Sequence, residues 1–269
     1  MSELGTMPMA SMVCMAISMA ICFLLPLGLA IFFRRQGGRW RDFFLGAAVF
    51  FLFVLVLEQG VHALVLGSPL GQTISGNLIL YALYGGVMAG LFEEVGRLAA
   101  FRFLRPAPGQ TARALMYGAG HGGMEAVMVV GLTYISNLLV SSWINAGTLE
   151  QNVGALDEAT LQTVAQMVAA PATTYLWGGV ERTIAIGIHL ALSVLVYLAY
   201  CRGRQGVTLF VGAILLHAAV DACTILASAF LPVAGIELVA LACALGLGLV
   251  AWKVYQQEAK NWGGIAQKS

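Results

Sequence analysis

The chain contains about seven runs of mainly apolar residues, each long enough to cross the hydrocarbon core of a lipid bilayer. A membrane-spanning helix needs about 20 such residues, and lipid excludes open sheet edges and irregular backbone. Hydrophobic residues make up 59% of the chain and charged residues 10%, with a mean hydropathy of +0.85, which excludes a soluble globular domain. We therefore predict an all-α, polytopic transmembrane helix bundle. Segments one to seven are roughly residues 7–33, 42–66, 77–104, 114–140, 172–201, 207–231 and 236–255.

Among the connections, arginine and lysine occur only in alternate ones, and the even-numbered connections and the N-terminus contain none. By the positive-inside rule, this asymmetry predicts an N-terminus outside and a C-terminus in the cytoplasm, in agreement with an odd number of crossings. The basic residues of the connections and of the C-terminal tail are Arg34, Arg35, Arg39, Arg41, Arg102, Arg105, Arg113, Arg202, Arg204, Lys253, Lys260 and Lys268.

The length of 269 residues suits a single transmembrane domain, residues 1–269, in which segments three to six, residues 77–231, form a catalytic-type core. The first segment lacks the basic start of a cleavable signal peptide, so it is expected to stay as a helix. A net charge of +1 without a basic surface cluster excludes a nucleic-acid partner. The expected partners are the lipid bilayer and a membrane protein or peptide substrate, and the expected location is the cell membrane, as a multi-pass protein of bacterial type. The sequence leaves the homo-oligomeric state open.

The five cysteines have no paired spacing, which predicts buried small apolar side chains instead of disulfides or a zinc knuckle. The longest connection, residues 141–171, contains Asp157 at a position that could cap a short helix, with Leu161, Val164 and Val168 on one face. Such a helix would lie on the outer membrane interface, either as a substrate-guiding element or as a mere connector.

Ionisable residues interrupt segments three to six, although a charged group in hydrocarbon costs roughly 2.5 to 17 kcal/mol. At ~1.5 Å per helical residue, most of these groups lie ~12 to 22 Å from the inner boundary, near the midplane of the core. A shared polar site is the simplest reason for four helices to carry ionisable groups at one level. These residues are Glu93, Glu94, Arg97, His121, Glu125, His189, His217 and Asp221.

A second polar layer lies farther out, ~25 to 31 Å from the inner side. It contains Glu58 and His62, four residues apart on one helix face, and the adjacent pair Glu181 and Arg182. Groups near the outer boundary can snorkel or pair across helices, so we predict a structural role for this layer.

Several motifs of this chain together resemble those of one known family. They are the runs Glu93-Glu94-Val95-Gly96-Arg97 and Gly120-His121-Gly122-Gly123-Met124-Glu125, the pair Glu181-Arg182, His189, and the spacing of His217 and Asp221. This is the YhfC family of intramembrane proteases of glutamic type, within a wider group that includes CAAX prenyl endopeptidases, PrsW proteases and the gamma-secretase scaffold subunit. The CAAX enzymes place three residues between the second glutamate and the arginine, whereas here only Val95 and Gly96 intervene.

The resemblance implies an endopeptidase in which Glu93 or Glu94 is the base that activates water. It implies that His121 or His189 and His217 are the polar companions of that base. Asp221 would be the counterpart of an Asn or Asp near the oxyanion, and no cofactor would be required.

The residues allow the same chemistry independently, because peptide hydrolysis needs a water, a base and donors for the oxyanion, and Arg97 would keep the glutamate pair charged. The three histidines and several carboxylates could equally hold a divalent metal such as zinc, through His121, Glu125, His189, His217 and Asp221, although HExxH motifs are absent. A non-catalytic scaffold and an ion- or proton-coupled carrier would use the same midplane groups.

Overall fold

The structure is a computed structural model that describes the backbone of residues 5–266 and the side chains of residues 5–262. Seven long helices in this part of the chain have the length and composition to cross a membrane, and the described residues contain no strand. These helices are α1 (Met9–Arg35), α2 (Trp40–Leu66), α3 (Leu78–Leu104), α4 (Thr111–Ala146), α5 (Ala172–Cys201), α6 (Gly203–Ser228) and α7 (Val233–Trp262). The prediction of an all-α polytopic bundle with seven spans is confirmed.

The predicted segments agree with the helices apart from their ends. The prediction ended the seventh span near residue 255, whereas α7 continues to Trp262, and the end of α4 differs as well. The prediction ended this span near residue 140, whereas the helix continues to Ala146 and stops at Gly147, which has a φ of 68°. Glycine adopts this left-handed conformation without steric cost, so it is the first residue after 140 that ends the helix cleanly.

The described residues form two compact units. One unit comprises the chain up to Leu25 together with Ala126–Thr183. The other comprises Pro26–Glu125 and the chain from Ile184 onwards. The prediction that residues 77–231 form the core of one domain stays a prediction.

In the first unit, Met7, Met15 and Tyr175 form a small apolar core, and Ser18 Oγ donates a hydrogen bond of 2.7 Å to the Tyr175 carbonyl. The connection after α4 contains a helix at Glu158–Ala169, as predicted, and an additional short helix at Leu149–Val153. Asp157 caps the longer helix by accepting a 2.8 Å hydrogen bond from the Thr160 N–H. Hydrogen bonding to the Thr160 side chain, together with this backbone bond, holds the pKa of Asp157 below its ordinary value. A position on the membrane interface stays a prediction.

In the second unit, α5 is the most enclosed element, because residues 191–199 are buried on all sides. Phe101 of α3 and Tyr117 of α4 pack with Leu192, Leu195 and Tyr197 of α5 in one apolar cluster. In lipid, helix association depends on close packing since the solvent is as apolar as the side chains. This cluster therefore fixes α3, α4 and α5 against each other.

Small residues allow the helices of this unit to approach closely. A Cβ added at Gly86 or Gly90 of α3 would meet backbone oxygens of α6 at 2.3 and 2.6 Å. On α4, a Cβ at Gly118 would meet Ser193 Oγ of α5 at 2.7 Å, and one at Gly122 would meet the His189 ring at 2.9 Å. These glycines thus allow α6 to pack closely against α3, which carries the glutamates, and α5 to pack closely against α4, which carries His121.

Candidate active site

The third helix carries a buried ionic cluster. Glu93 and Glu94 are adjacent in α3, and Arg97 lies about one turn further along. Consecutive residues of a helix point about 100° apart, so the two carboxylates face different neighbours. Arg97 Nε lies 3.0 Å from Glu94 Oε2, and Arg97 Nη2 lies 3.8 Å from Glu93 Oε2. Glu94 and Arg97 are completely buried, so this ion pair is shielded from solvent.

Glu93 is surrounded by the three histidines that the sequence places on three other helices. His121 Nε2 lies 2.9 Å from Glu93 Oε2, within hydrogen-bond distance. His189 Nδ1 lies 3.6 Å from the same oxygen, and His217 Nε2 lies 4.0 Å from Glu93 Oε1. The predicted convergence of α3, α4, α5 and α6 on one polar site is confirmed for these residues.

Further carboxylates contact the outer edges of the imidazole rings. Glu125 Oε2 lies 2.5 Å from His189 Nε2, Glu94 Oε1 lies 2.7 Å from His217 Nδ1, and Asp221 Oδ2 lies 3.6 Å from His217 Nε2. A carboxylate on one ring nitrogen fixes the orientation and the tautomer of a histidine, which leaves the opposite nitrogen directed at a ligand or substrate. This arrangement is typical of catalytic and metal-binding histidines.

Arg97 also anchors α5, through contacts that the sequence analysis did not foresee. Its Nη1 donates hydrogen bonds to the His189 carbonyl at 2.8 Å and to Ser193 Oγ at 2.6 Å. Its Nη2 lies 3.3 Å from His189 Nδ1. Because arginine can only donate, Nδ1 is the acceptor, and the ring proton of a neutral His189 lies on Nε2 toward Glu125.

Two further residues outside the predicted set complete the surroundings of His121. The Tyr117 hydroxyl lies 3.4 Å from His121 Nδ1, and the Tyr117 ring lies 5.9 Å from the Arg97 guanidinium carbon. The Phe50 ring of α2 contacts the His121 ring edge to face at 5.3 Å. Tyr117 lies one helical turn before His121, and Ser193 lies one helical turn after His189. This spacing is the only sequence signal that could have indicated that these two residues belong to the site.

The solvent-accessible part of the site is formed by the carboxylates of Glu125 and Asp221. The side chains of Glu94, Arg97 and His121 are fully buried, whereas that of Glu125 is 19% exposed and that of Asp221 is 34% exposed. A substrate would therefore meet Glu125 and Asp221 first.

Each of the two units contains one pair of residues from the predicted outer layer. Glu58 pairs with His62 in its own helix at 3.3 Å, and His62 Nδ1 lies 2.9 Å from the Tyr84 hydroxyl of α3. Arg182 donates two hydrogen bonds to the adjacent Glu181. The contact between His62 and Tyr84 joins two helices, and the structural role of this layer stays a prediction.

Glu93, His121 and His189 have the geometry of a metal-binding group, since each offers one ligand atom and these atoms lie within 4.8 Å of one another. Two imidazole nitrogens and a carboxylate oxygen form a donor set that suits zinc. The metal set predicted from the sequence omitted Glu93 and included Glu125, His217 and Asp221. Glu125 instead contacts His189, His217 contacts Glu93, and Asp221 contacts His217. The side chains present fit a divalent ion.

The fold and this centre define a polytopic membrane protein with a buried carboxylate and histidine site suited to hydrolysis. Residues 21–242 match the family described as YhfC intramembrane metalloprotease. The chain is also 40% identical, over 212 residues, to the uncharacterized membrane protein YhfC of Bacillus subtilis (strain 168), covering 77% of this chain and 81% of that protein. No solved structure matches the chain.

The chain therefore belongs to the YhfC intramembrane metalloprotease family, as the sequence motifs indicated. It is a multi-pass membrane protein of a protease family. The family's description names a metal, whereas the resemblance at the sequence level implied a metal-free glutamic mechanism.

Proposed function

We propose that this protein is a membrane-embedded endopeptidase that depends on a divalent metal ion, most simply zinc, held by Glu93, His121 and His189. The observation that carries the proposal is the convergence of these three donors, from three different helices, within 4.8 Å of one another at a buried position. A bound zinc ion would supply a Lewis acid and lower the pKa of a coordinated water. The family description supports the same class of enzyme.

The remaining residues would prepare this centre and handle protons. Glu125 orients His189 through the 2.5 Å contact at Nε2, and Arg97 balances the charge of the two glutamates. The accessible carboxylate of Asp221 lies 3.6 Å from His217 Nε2, so this pair can exchange a proton with a substrate at the open edge of the site. The substrate would be a peptide segment of a membrane protein.

A metal-free mechanism is the second candidate, and two contacts favour it. His121 already lies 2.9 Å from Glu93, and Arg97 Nη2 already lies beside His189 Nδ1, so both rings have partners within the protein. Glu93 would then act as the base that removes a proton from water, with His217 and Asp221 beside it. General-base assistance of this kind contributes about 10² to 10⁴-fold to a rate.

Metal analysis of purified protein, combined with cleavage of a panel of single-span membrane substrates, tests the proposal. We expect about one zinc ion per chain, loss of cleavage in a chelator, and recovery on adding zinc. His121→Ala should lose the metal, and Glu125→Gln should bind it about 10- to 100-fold more weakly. His62→Ala, outside the centre, is the matched control and should retain both metal and cleavage.

The two mechanisms give opposite results in this experiment. Cleavage by a protein that contains no metal and is unaffected by chelators would overturn the metal site, and loss of that cleavage in Glu93→Gln would then assign the base. Wild-type protein that neither binds metal nor cleaves any substrate would overturn both mechanisms and favour a scaffold or a carrier.

A further inference from the structure

A cavity of about 640 Å³ lies in the second unit, among the connections that carry the arginines and away from the carboxylate and histidine centre. Its apolar wall includes Leu190, Val194, Ala251 and Trp252. By the rise of a helix, Leu190 and Val194 lie about 10 to 17 Å from the end of α5 at Cys201, so this wall extends from the membrane surface into the hydrocarbon region. The wall is therefore long enough to hold part of an acyl chain.

The polar lining of the same cavity consists of hydrogen-bond donors and positive charge. Gln36, Arg39, Gln110 and Tyr255 line it, and no carboxylate does. Arg39 is exposed and forms no ion pair with any carboxylate among the described residues. The cavity thus presents an unpaired guanidinium next to an apolar wall.

Asp42, an acidic residue in contact with the cavity lining, is already neutralised. Arg113, which lines the cavity, donates hydrogen bonds of 2.9 and 2.8 Å from Nε and Nη2 to the two carboxylate oxygens of Asp42. Both side chains are buried, and this two-point geometry is the strongest that arginine forms with a carboxylate. The positive charge of Arg39 therefore remains uncompensated by the protein.

Three further arginines, Arg34, Arg35 and Arg41, lie within two residues of the lining residues Gln36 and Arg39 in the sequence, and all three are exposed. Arg34 and Arg41 contact only backbone carbonyls, of Gly38 and Leu104, and Arg41 lies over the Phe103 ring. Basic pockets between membrane helices attract anionic lipid head groups, and each arginine near the surface contributes about 1 kcal/mol. An acidic peptide would satisfy the charge but would not need the apolar wall.

We propose that this cavity binds one anionic phospholipid, with its phosphate at Arg39 and the neighbouring amide and hydroxyl groups and one acyl chain along Leu190, Val194 and Trp252. The site is separate from the proposed catalytic centre, so its test does not depend on proteolysis. Because Leu190 and Val194 flank His189 and Ser193 in α5, the lipid would also fill the space behind the helix that carries the site.

Two variants, each with a matched control, remove the two halves of the site. Arg39→Gln removes the charge, and Arg204→Gln removes an equally exposed charge that does not line the cavity. Gly248→Leu fills the cavity, because a Cβ at Gly248 meets nothing within 4 Å. Gly246→Leu adds the same side chain two residues earlier in α7, also in open space but outside the cavity.

The protein is delipidated in a neutral detergent and exposed to equal amounts of phosphatidylglycerol and phosphatidylcholine. Bound lipid is then counted by native mass spectrometry, and thermal unfolding is followed in parallel. We expect wild type and both controls to retain about one phosphatidylglycerol per chain and to gain thermal stability from it. Arg39→Gln should bind it ~5-fold more weakly or worse, and Gly248→Leu should not bind it.

Equal retention of the two lipids by the wild type, or equal losses in Arg39→Gln and Arg204→Gln, would overturn the proposal in favour of diffuse surface charge. Displacement of the lipid by a soluble acidic peptide would assign the cavity to a peptide instead. If Gly248→Leu does not elute as a folded monodisperse protein, the comparison of the two arginine variants decides.

Discussion

At the scale of single residues, Arg97 connects the glutamates of α3 to α5. It faces both glutamates of α3 and donates to the His189 carbonyl and to Ser193 of α5, although its side chain is fully buried. A buried charge is costly unless it is paired and hydrogen-bonded, and the planar fork of arginine satisfies several partners at once. Arg97 therefore links the charge balance of the glutamates to the position of His189.

We predict that Arg97→Ala lowers the free energy of unfolding by about 3 to 5 kcal/mol, because it leaves two buried carboxylates without a positive partner. Arg97→Lys should restore part of this stability but not activity, since an ammonium group cannot reach Glu93, Glu94, Ser193 and the His189 carbonyl together. Thermal unfolding in detergent, with cleavage of a substrate by each variant, measures both effects. A lysine variant with wild-type cleavage would show that only the charge matters.

At the scale of helices, the glycines of α4 decide how near α5 can come to His121. Gly122 faces the His189 ring, and Gly118 faces Ser193, so any larger residue would push α5 outward. The ring centroids of His121 and His189 are only 5.1 Å apart, and this separation requires the close approach. The motif around His121 thus acts through packing as well as through its imidazole.

Gly122→Ala should displace His189, because the new Cβ would lie 2.9 Å from the ring carbon Cδ2 of that residue and 3.1 Å from its Cβ. A displacement of this kind can reduce a catalytic rate by up to ~100-fold. Gly187→Ala in α5 is the control, since a Cβ there meets nothing within 4 Å, and it should be neutral or slightly stabilising. Metal content and cleavage measure the difference, and equal behaviour of the two variants would contradict this account.

At the scale of the whole molecule, the distribution of arginine among the connections predicts which side of the membrane each connection faces. The connections with arginine are those around Gly37, Gly109 and Gly203, and the long connection between α4 and α5 has no basic residue. Positive charge is retained on the cytoplasmic side during insertion, so the sequence predicts the orientation of all seven helices at once.

Labelling of single cysteines tests this orientation. In a variant with all five native cysteines replaced, a cysteine placed at residue 155 in the long connection should react with a membrane-impermeant maleimide added outside the cell. Cysteines at residues 37 and 203 should react only after the membrane is opened. The reverse pattern would contradict the orientation and would place the arginine-lined cavity in the outer leaflet.

Much of the fold and part of the site could be predicted from the sequence. The seven spans follow from hydropathy, whereas the membrane depth of His121, His189 and His217, calculated from the rise of a helix, stays a prediction. The sequence left open which glutamate contacts the histidines. Glu93 and Glu94 point in different directions from the helix axis, and only the packing of α3 against its neighbours decides which of them faces the histidines. The contacts of Ser193 and Tyr117 were missed because single hydroxyl groups in apolar segments carry no pattern.

The sequence by itself determined the helical class, the number of spans and the set of ionisable groups within the spans, because a bilayer allows few structures and makes each buried charge costly. The tertiary structure decided that Glu93 lies among the three histidines, while Glu94 is enclosed by Arg97 and His217. The physical reason is that the rotation of each helix about its axis depends on how glycine faces and apolar clusters of neighbouring helices pack.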